Sequence, residues 1–233
     1  MNELDKPNNT DLISEFKHTL EQKYEQKQDG TLESPFLDSN LNRAEAVESI
    51  LEHDETCPQE IIERQEIVSV KYVSFDDNYH EGQIVVDKSL SADVKDFFKL
   101  LLELKFPVQS VIPIVKFGWV DISSMEANNS SAFNFRLKEG NEETKHEISN
   151  HGYGFAMDIN PKLNPVFKWV GEGADRQEVK EPNNGKYNIE NNGTFFADHP
   201  AVQFMKERGW TWGGDWTSLK DYHHFEKIIN YNN

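Results

Sequence analysis

Four residues in two short segments have the types and spacing needed for metal-dependent hydrolysis. His151 and Asp158 are separated by six residues, and Asp221 and His224 follow about seventy residues later. Two imidazoles and one carboxylate can hold a zinc ion and leave its fourth position open for water. The bound ion lowers the pKa of that water from about 15.7 toward about 7, so that hydroxide is available at neutral pH. Asp221 could then accept the proton.

The surrounding sequence predicts the elements that must position these side chains. The apolar segment 155–159 predicts a strand that carries Asp158 out of a core. Because Asp221 and His224 are three residues apart, a turn or a short helix would place both on one surface. Glycines among large aromatic residues in 210–216 indicate either a shaped pocket wall or ordinary core packing. With eight histidines in the chain, the spacing of His151 and Asp158 alone could also arise by chance.

Three ordered motifs extend this pattern. They are S-x-H-x-x-G-x-A-x-D at 149–158, W-G-G-D-W at 212–216 and D-x-x-H-F at 221–225. Together they resemble the D-alanyl-D-alanine carboxypeptidase family of zinc peptidases, which includes D-Ala-D-Ala dipeptidases and phage L-alanyl-D-glutamate endolysins. Segments 124–136 and 159–165 also resemble the carboxypeptidase branch, and the resemblance covers roughly residues 65 to 228.

The resemblance implies roles for six residues. One zinc ion is bound by His151, Asp158 and His224, and Asp221 is the general base. Arg136 stands where the family has an arginine that holds the scissile carbonyl or the developing oxyanion, and a permanently charged guanidinium suits that task. The alternative for Arg136 is a pair with a surface carboxylate. Ser149 resembles the serine that opens the family motif and either orients substrate or caps the local backbone.

Two features of the metal site stay open at this point. His223 lies beside His224, and the D-x-x-H-F motif favours His224 as the ligand. The side chain of His223 then contacts substrate, stabilises a charged intermediate, is exposed, or supports the site from behind the ligands, and the last two alternatives are favoured. Two histidines and a carboxylate would also accept iron(II) in place of zinc.

Charge and composition exclude several kinds of partner. The chain has 233 residues and a formal net charge of −17. This charge argues against binding to nucleic acid or to an anionic membrane surface. The single cysteine, Cys57, cannot form an internal disulfide, and we find neither a secretion signal nor a membrane span. We expect a protein made in the cytoplasm that acts in the periplasm or cell wall by an export route that the sequence does not identify.

The pattern of strands and helices predicts an α+β fold. We expect an antiparallel sheet that carries the zinc site, with helices packed on it, in a catalytic domain of residues 65–233. Residues 1–64 form an acidic extension with amphipathic helices at 11–27 and 43–55. This extension packs on the catalytic domain, binds a protein partner such as an immunity protein or secretion machinery, or is a solvated arm. Further predictions are strands at 111–115 and 133–135, a helix capped by Ser91, a second helix opened by Asp198 with Pro200, and a surface loop at 171–194.

The resemblance and the residues together favour a zinc-dependent D,D-carboxypeptidase that removes the terminal D-Ala of peptidoglycan stem peptides. An L-alanyl-D-glutamate or other cell-wall endopeptidase is the second hypothesis, because the sequence does not reveal a group that binds the terminal carboxylate of a substrate. A non-catalytic zinc-containing module that binds cell wall is the third. The presence of both Asp221 and Arg136 argues against it.

Overall fold

The computed structural model describes residues 35–138, 144, 146–171 and 176–229. The helix predicted at 11–27 lies outside these residues. The described strands are β1 Phe36–Leu37, β2 Gln65–Val73, β3 Tyr79–Asp87, β4 Ser110–Val111, β5 Asn129–Ser130, β6 Ala156–Asp158, β7 Val166–Val170, β8 Gln177–Glu181, β9 Thr211–Trp212, β10 Lys220–Asp221 and β11 His224–Glu226. The described α-helices are α1 Ile50–His53, α2 Gln59–Arg64, α3 Ser91–Glu103, α4 Asp121–Glu126, α5 Asn150–Tyr153 and α6 Pro200–Glu207. A π-helical turn at Ala44–Glu48 and short 3₁₀ turns at Ile114–Phe117 and Gly213–Asp215 complete the list.

A long hairpin and one helix form the main core. Strands β2 and β3 pair along nine residues each, and alternate residues of β2 are buried, as the pattern of Val68, Val70 and Tyr72 predicts. Helix α3 packs its apolar face on this hairpin through side chains that include Phe97 and Leu101. Burial of such large apolar side chains contributes about 1.5–3 kcal/mol each. The hairpin and α3 therefore provide a rigid base for the rest of the fold.

Two further small sheets carry the residues of the second half. One has the strand order β6-β11-β9 and the other β10-β7-β8, and all of their pairings are antiparallel. The mixture of helices and antiparallel sheets agrees with the predicted fold class. The strands form several three-stranded sheets instead of one larger sheet, and the pairs β1–β3 and β4–β5 are parallel.

Five local predictions need correction. Ser91 begins α3 but does not cap it, since its hydroxyl donates to the carbonyl of Lys88 at 3.1 Å. Helix α6 begins at Pro200 as predicted, but His199 is its cap. Only Val111 of the 111–115 segment is in a strand, and the segment 133–135 is extended without belonging to a sheet. The predicted loop 171–194 contains strand β8, which pairs with β7 along five residues.

Residues that precede β2 contribute to a second core. Val47 and Ile50 are fully buried and belong to one cluster with Phe133 and Phe135 of the strand-like segment that leads to Arg136. The described residues from 35 to 229 belong to one compact unit. In place of one helix over 43–55, the chain has a π-helical turn at Ala44–Glu48 and the short helix α1, and of the predicted apolar face Leu51 is 42% exposed. The assignment of residues 1–64 as a separate extension stays a prediction. Within the described part of the chain, we find no helix that is both long and apolar enough to span a membrane.

Candidate metal centre

Strand pairing brings two of the predicted ligands together. Strands β6 and β11 are antiparallel neighbours, and their register places His224 directly opposite Asp158. Directly opposite residues of antiparallel strands project from the same face of a sheet. The apolar residues around Met157 are buried, and Asp158 is itself only 5% exposed, so the strand places Asp158 against the cavity within buried surroundings instead of carrying it out of the core.

A short helix supplies the third predicted ligand, His151. Ser149 caps the first turn of α5, because its Oγ accepts a hydrogen bond from the backbone N–H of Gly152 at 3.0 Å. This contact confirms the backbone-capping alternative for Ser149. The helix ends at Gly154, whose φ of +75° suits a glycine, and β6 begins two residues later. The turn from α5 into β6 therefore folds His151 back over Asp158.

The donor atoms of the three residues converge on one point. His151 Nε2 lies 3.2 Å from His224 Nδ1 and 3.2 Å from an oxygen of Asp158, and His224 Nδ1 lies 3.1 Å from the other oxygen of Asp158. All three residues are at most 7% exposed. Tetrahedral ligands about 2.0–2.1 Å from a zinc ion are about 3.3 Å apart, so the spacing suits such an ion. These residues form the one cluster of three or more potential metal ligands found among the residues described.

The hydrogen bonds of the two histidines favour tautomers whose lone pairs face the Asp158 carboxylate, and this arrangement suits a bound cation. The Nδ1 of His151 faces the carbonyl of Ala132 at 2.8 Å and must donate to it, which leaves a lone pair on Nε2. The Nε2 of His224 faces the carboxylate of Glu226 at 3.1 Å, which leaves a lone pair on Nδ1. Two lone pairs and the Asp158 carboxylate then point at each other. Only a metal ion or a proton between them relieves this repulsion.

In the absence of a metal ion, protons take this place. Burial would lower the pKa of His224, but its hydrogen bonds to Asp158 and Glu226 and the nearby negative charges raise it to about 10. Burial would raise the pKa of Asp158, but the adjacent histidines hold it well below its usual range. Burial would also raise the pKa of Glu226, whereas the hydrogen bond from His224 lowers it. The carboxylates of this cluster therefore favour a positive charge between them, which is either a proton or a metal ion.

Asp221 lies beside this cluster and contacts His223. Strand β10 carries Asp221, and a bend at residues 222–223 leads to β11, so the connection is a turn and not a helix. His223 is buried, donates from Nδ1 to the carbonyl of Asn164 at 2.8 Å, and places Nε2 3.0 Å from Asp221 Oδ1. The alternative of an exposed His223 is therefore wrong. Burial would lower the pKa of His223, but the charges of Asp221 and Asp158 raise it to about 9.

A cavity of about 460 Å³ opens onto the three ligands. Its wall also includes Asp221, Arg136 and Ser149, so all six predicted site residues line one cavity. Arg136 donates from Nη2 to Asp121 at 3.0 Å, and its buried Nε has no hydrogen-bond partner among the described residues. The ion pair agrees with the carboxylate alternative for Arg136, but the guanidinium still borders the cavity.

The aromatic segment 210–216 divides between core and cavity. Trp210 and Trp212 are buried in the main core, which confirms core packing for these two residues. Trp216 lines the cavity, with its ring centroid 5.2 Å from that of His224. A Cβ on Gly213 would lie 2.5 Å from the backbone oxygen of Asp221, so glycine permits the close approach of this segment to β10.

Sequence reasoning missed three residues at the site. Glu226 accepts hydrogen bonds from His224 and from Asn150, and Asp121 holds Arg136. Glu226 follows His224 by two positions on β11, so strand alternation could have placed it on the ligand face. Asn150 and Asp121 come from distant helices, and their positions depend on tertiary structure.

These features define a class of protein: a mixed helix-and-strand fold with a buried site of two histidines and one aspartate, suited to a metal ion and open to a cavity. Residues 142–227 match the family model described as D-alanyl-D-alanine carboxypeptidase, which confirms the resemblance that the motifs predicted and points to a metallopeptidase. The matched segment includes the three ligands and Asp221, whereas Arg136 precedes it. Neither a curated protein nor a solved structure matches the chain.

Proposed function

We propose that the protein is a zinc-dependent D,D-carboxypeptidase that removes the terminal D-Ala of peptidoglycan stem peptides. The observation that carries the proposal is the convergence of the His151, Asp158 and His224 donors, at 3.1–3.2 Å from each other, in one cavity with Asp221 and Arg136. The match of residues 142–227 to the carboxypeptidase family supports the same reaction.

The donor set suits one zinc ion, which supplies Lewis acidity that polarises the scissile carbonyl and makes water more acidic. Asp221 takes a proton from the attacking water and gives it to the amine nitrogen as the C–N bond breaks. His223 holds the Asp221 carboxylate in place from 3.0 Å. Arg136 donates to the carbonyl oxygen as negative charge develops on it. In this proposal Ser149 contacts substrate from the cavity wall, because its Oγ accepts from the backbone N–H of Gly152 and still has its own hydrogen to donate.

The substrate and the site of action are also part of the proposal. Stem peptides are cell-wall components, so the enzyme would act in the periplasm or cell wall after synthesis in the cytoplasm. A protein partner for the acidic residues 1–64 also stays a proposal. An endopeptidase that cuts within the stem, for example at L-alanyl-D-glutamate, uses the same metal, base and arginine. The length of the peptide released distinguishes the two reactions.

The test is digestion of purified muropeptides with pentapeptide stems by the zinc-loaded protein, with and without a chelator, with products identified by mass. We expect loss of one alanine that the chelator abolishes. Release of a longer fragment would replace the carboxypeptidase by an endopeptidase. Bound zinc without any cleavage would favour the non-catalytic module.

A pair of aspartate variants tests the role of the general base. Asp221→Asn should lower kcat by about 10²–10⁴-fold while zinc affinity stays close to that of the wild type. Asp198→Asn, which changes an exposed aspartate that precedes α6, is the matched control and should retain full activity. Full activity of Asp221→Asn would reject the proposed mechanism.

A further inference from the structure

We propose that Glu226, held by Asn150, is a positioning residue that fixes which ring nitrogen of His224 faces the metal site. One oxygen of Glu226, Oε2, accepts hydrogen bonds from His224 Nε2 at 3.1 Å and from Asn150 Nδ2 at 2.5 Å. The inference rests on the proposed metal site, but it concerns binding of the ion and not turnover.

His224 needs such a partner more than His151 does. The donor atom of His224 is Nδ1, close to the backbone, while that of His151 is the distal Nε2. A turn of the His224 ring about its Cβ–Cγ bond by half a circle would move Nδ1 away from Asp158 and place a carbon there instead. An acceptor on the far side of the ring, at Nε2, stabilises only the orientation in which Nδ1 faces the other two ligands. Glu226 is that acceptor.

Two elements of the fold position Glu226: strand β11, which carries it, and helix α5, which carries its partner Asn150. Glu226 lies two residues after His224 on β11, so both side chains project from the same face of the strand. Asn150 is the first residue of α5, and the next residue is the ligand His151. The same helical turn therefore supplies one ligand and secures the support of another, so the orientations of the two histidines depend on each other.

The partners are held tightly enough for this task. His224 is 7% exposed, and the side chain of Glu226 is 18% exposed at the edge of the cavity. A hydrogen bond between a histidine and a carboxylate is charge-assisted and is about twice as strong as one between neutral groups. The ring of Trp216 also lies next to the His224 ring, with centroids 5.2 Å apart and planes inclined at 51°.

The test compares zinc affinities of purified full-length variants by competition with a chelator, alongside thermal unfolding of each metal-free protein. Glu226→Leu, which keeps the size but removes the acceptor, should weaken zinc binding by about 10–100-fold. Glu226→Gln keeps an accepting oxygen and should recover a large part of this loss. Asn150→Ala should weaken binding by about threefold to tenfold, because Glu226 loses its second hydrogen bond. Glu190→Leu, at an exposed glutamate in a loop, is the matched control and should bind zinc as the wild type does.

A zinc affinity of Glu226→Leu equal to that of the wild type would overturn the inference. An equal loss of zinc affinity in Glu226→Leu and Glu226→Gln would also overturn it, because the charge of Glu226 and not its hydrogen bond would then be responsible. If Glu226→Leu does not fold, Asn150→Ala decides, and wild-type affinity in that variant would reject the inference. Failure of the proposed metal site looks different, since the wild-type protein itself would then bind no zinc.

Discussion

Binding of zinc should release a proton from His224, so the affinity for zinc should rise steeply with pH. The hydrogen bonds and charges of Asp158 and Glu226 raise the pKa of His224 to about 10 in the absence of a metal ion, although burial opposes the shift. His224 is then protonated throughout the range from pH 6 to pH 8. Zinc requires the lone pair of Nδ1 and must displace that proton.

The size of the effect follows from the pKa. Below a pKa of about 10, each unit of pH changes the fraction of His224 that is free to bind by about tenfold. The dissociation constant for zinc should therefore fall by about a hundredfold between pH 6 and pH 8. Chelator competition across this range measures the slope. Calorimetry in two buffers with different ionisation enthalpies counts the proton released per zinc ion.

Two results would refute this reasoning. A dissociation constant that does not change between pH 6 and pH 8 would show that no ligand is protonated before zinc arrives. Release of no proton at pH 7 would show the same by a separate measurement. His199→Asn is the control, because burial lowers the pKa of His199 to about 4, so this residue does not titrate in the range. This variant should keep the full slope.

Three further predictions concern the turn at Gly154, the ion pair of Asp121 at the cavity wall and the cap of α6, His199. Gly154→Ala should lower the free energy of unfolding by on the order of 2–3 kcal/mol, because the new Cβ would lie 2.3 Å from Gln65 Oε1 at a φ of +75°. Gly118→Ala, with a φ of +65° and open space around the new Cβ, should lower it by about 1 kcal/mol. Equal losses in chemical denaturation would contradict the argument. Asp121→Asn should lower kcat/KM on stem peptides by about ten- to a hundredfold without a change in zinc affinity, because Arg136 loses its ion pair at 3.0 Å. An unchanged kcat/KM would contradict this role of Asp121. Burial lowers the pKa of His199 in the folded protein to about 4. Its contribution to the free energy of unfolding is therefore complete above about pH 6.5 and is lost, by up to about 3 kcal/mol, as the pH falls toward 4. Chemical denaturation at a series of pH values should show a smaller loss for His199→Asn than for the wild type.

The structure brings the predicted ligands together, and each of them lies in a segment with a clear local pattern. Asp158 ends a fully apolar run, and such a run predicts a strand with its last residue at the edge of a core. His224 and Asp221 were recognised by type and spacing. The roles of these residues remain predictions, but the structure brings their side chains to one cavity.

Other parts of the fold depend on contacts that local sequence does not encode. Strand β8 has the sequence Gln-Glu-Val-Lys-Glu, which has little apolar alternation, and it is a strand because β7 offers it backbone hydrogen bonds. The support of His224 by Glu226 depends on the conformation of β11, and its support by Asn150 depends on how α5 packs. Helix α6 is capped by His199 and not opened by Asp198, because the side chain of His199 accepts from the backbone N–H of Ala201.

The pairing of β6 with β11 has a consequence for how the protein folds. His224 and Asp158 face each other only in one alignment of the two strands, and a slip by a single residue would turn one of them to the opposite side of the sheet. An ion that needs both ligands binds the correct alignment and not its neighbours. Its binding free energy therefore selects the native alignment among competing ones during folding, in proportion to the concentration of free metal. Refolding with zinc present should yield more native protein than refolding in a chelator, even in a variant that lacks Asp221 and cannot turn over substrate.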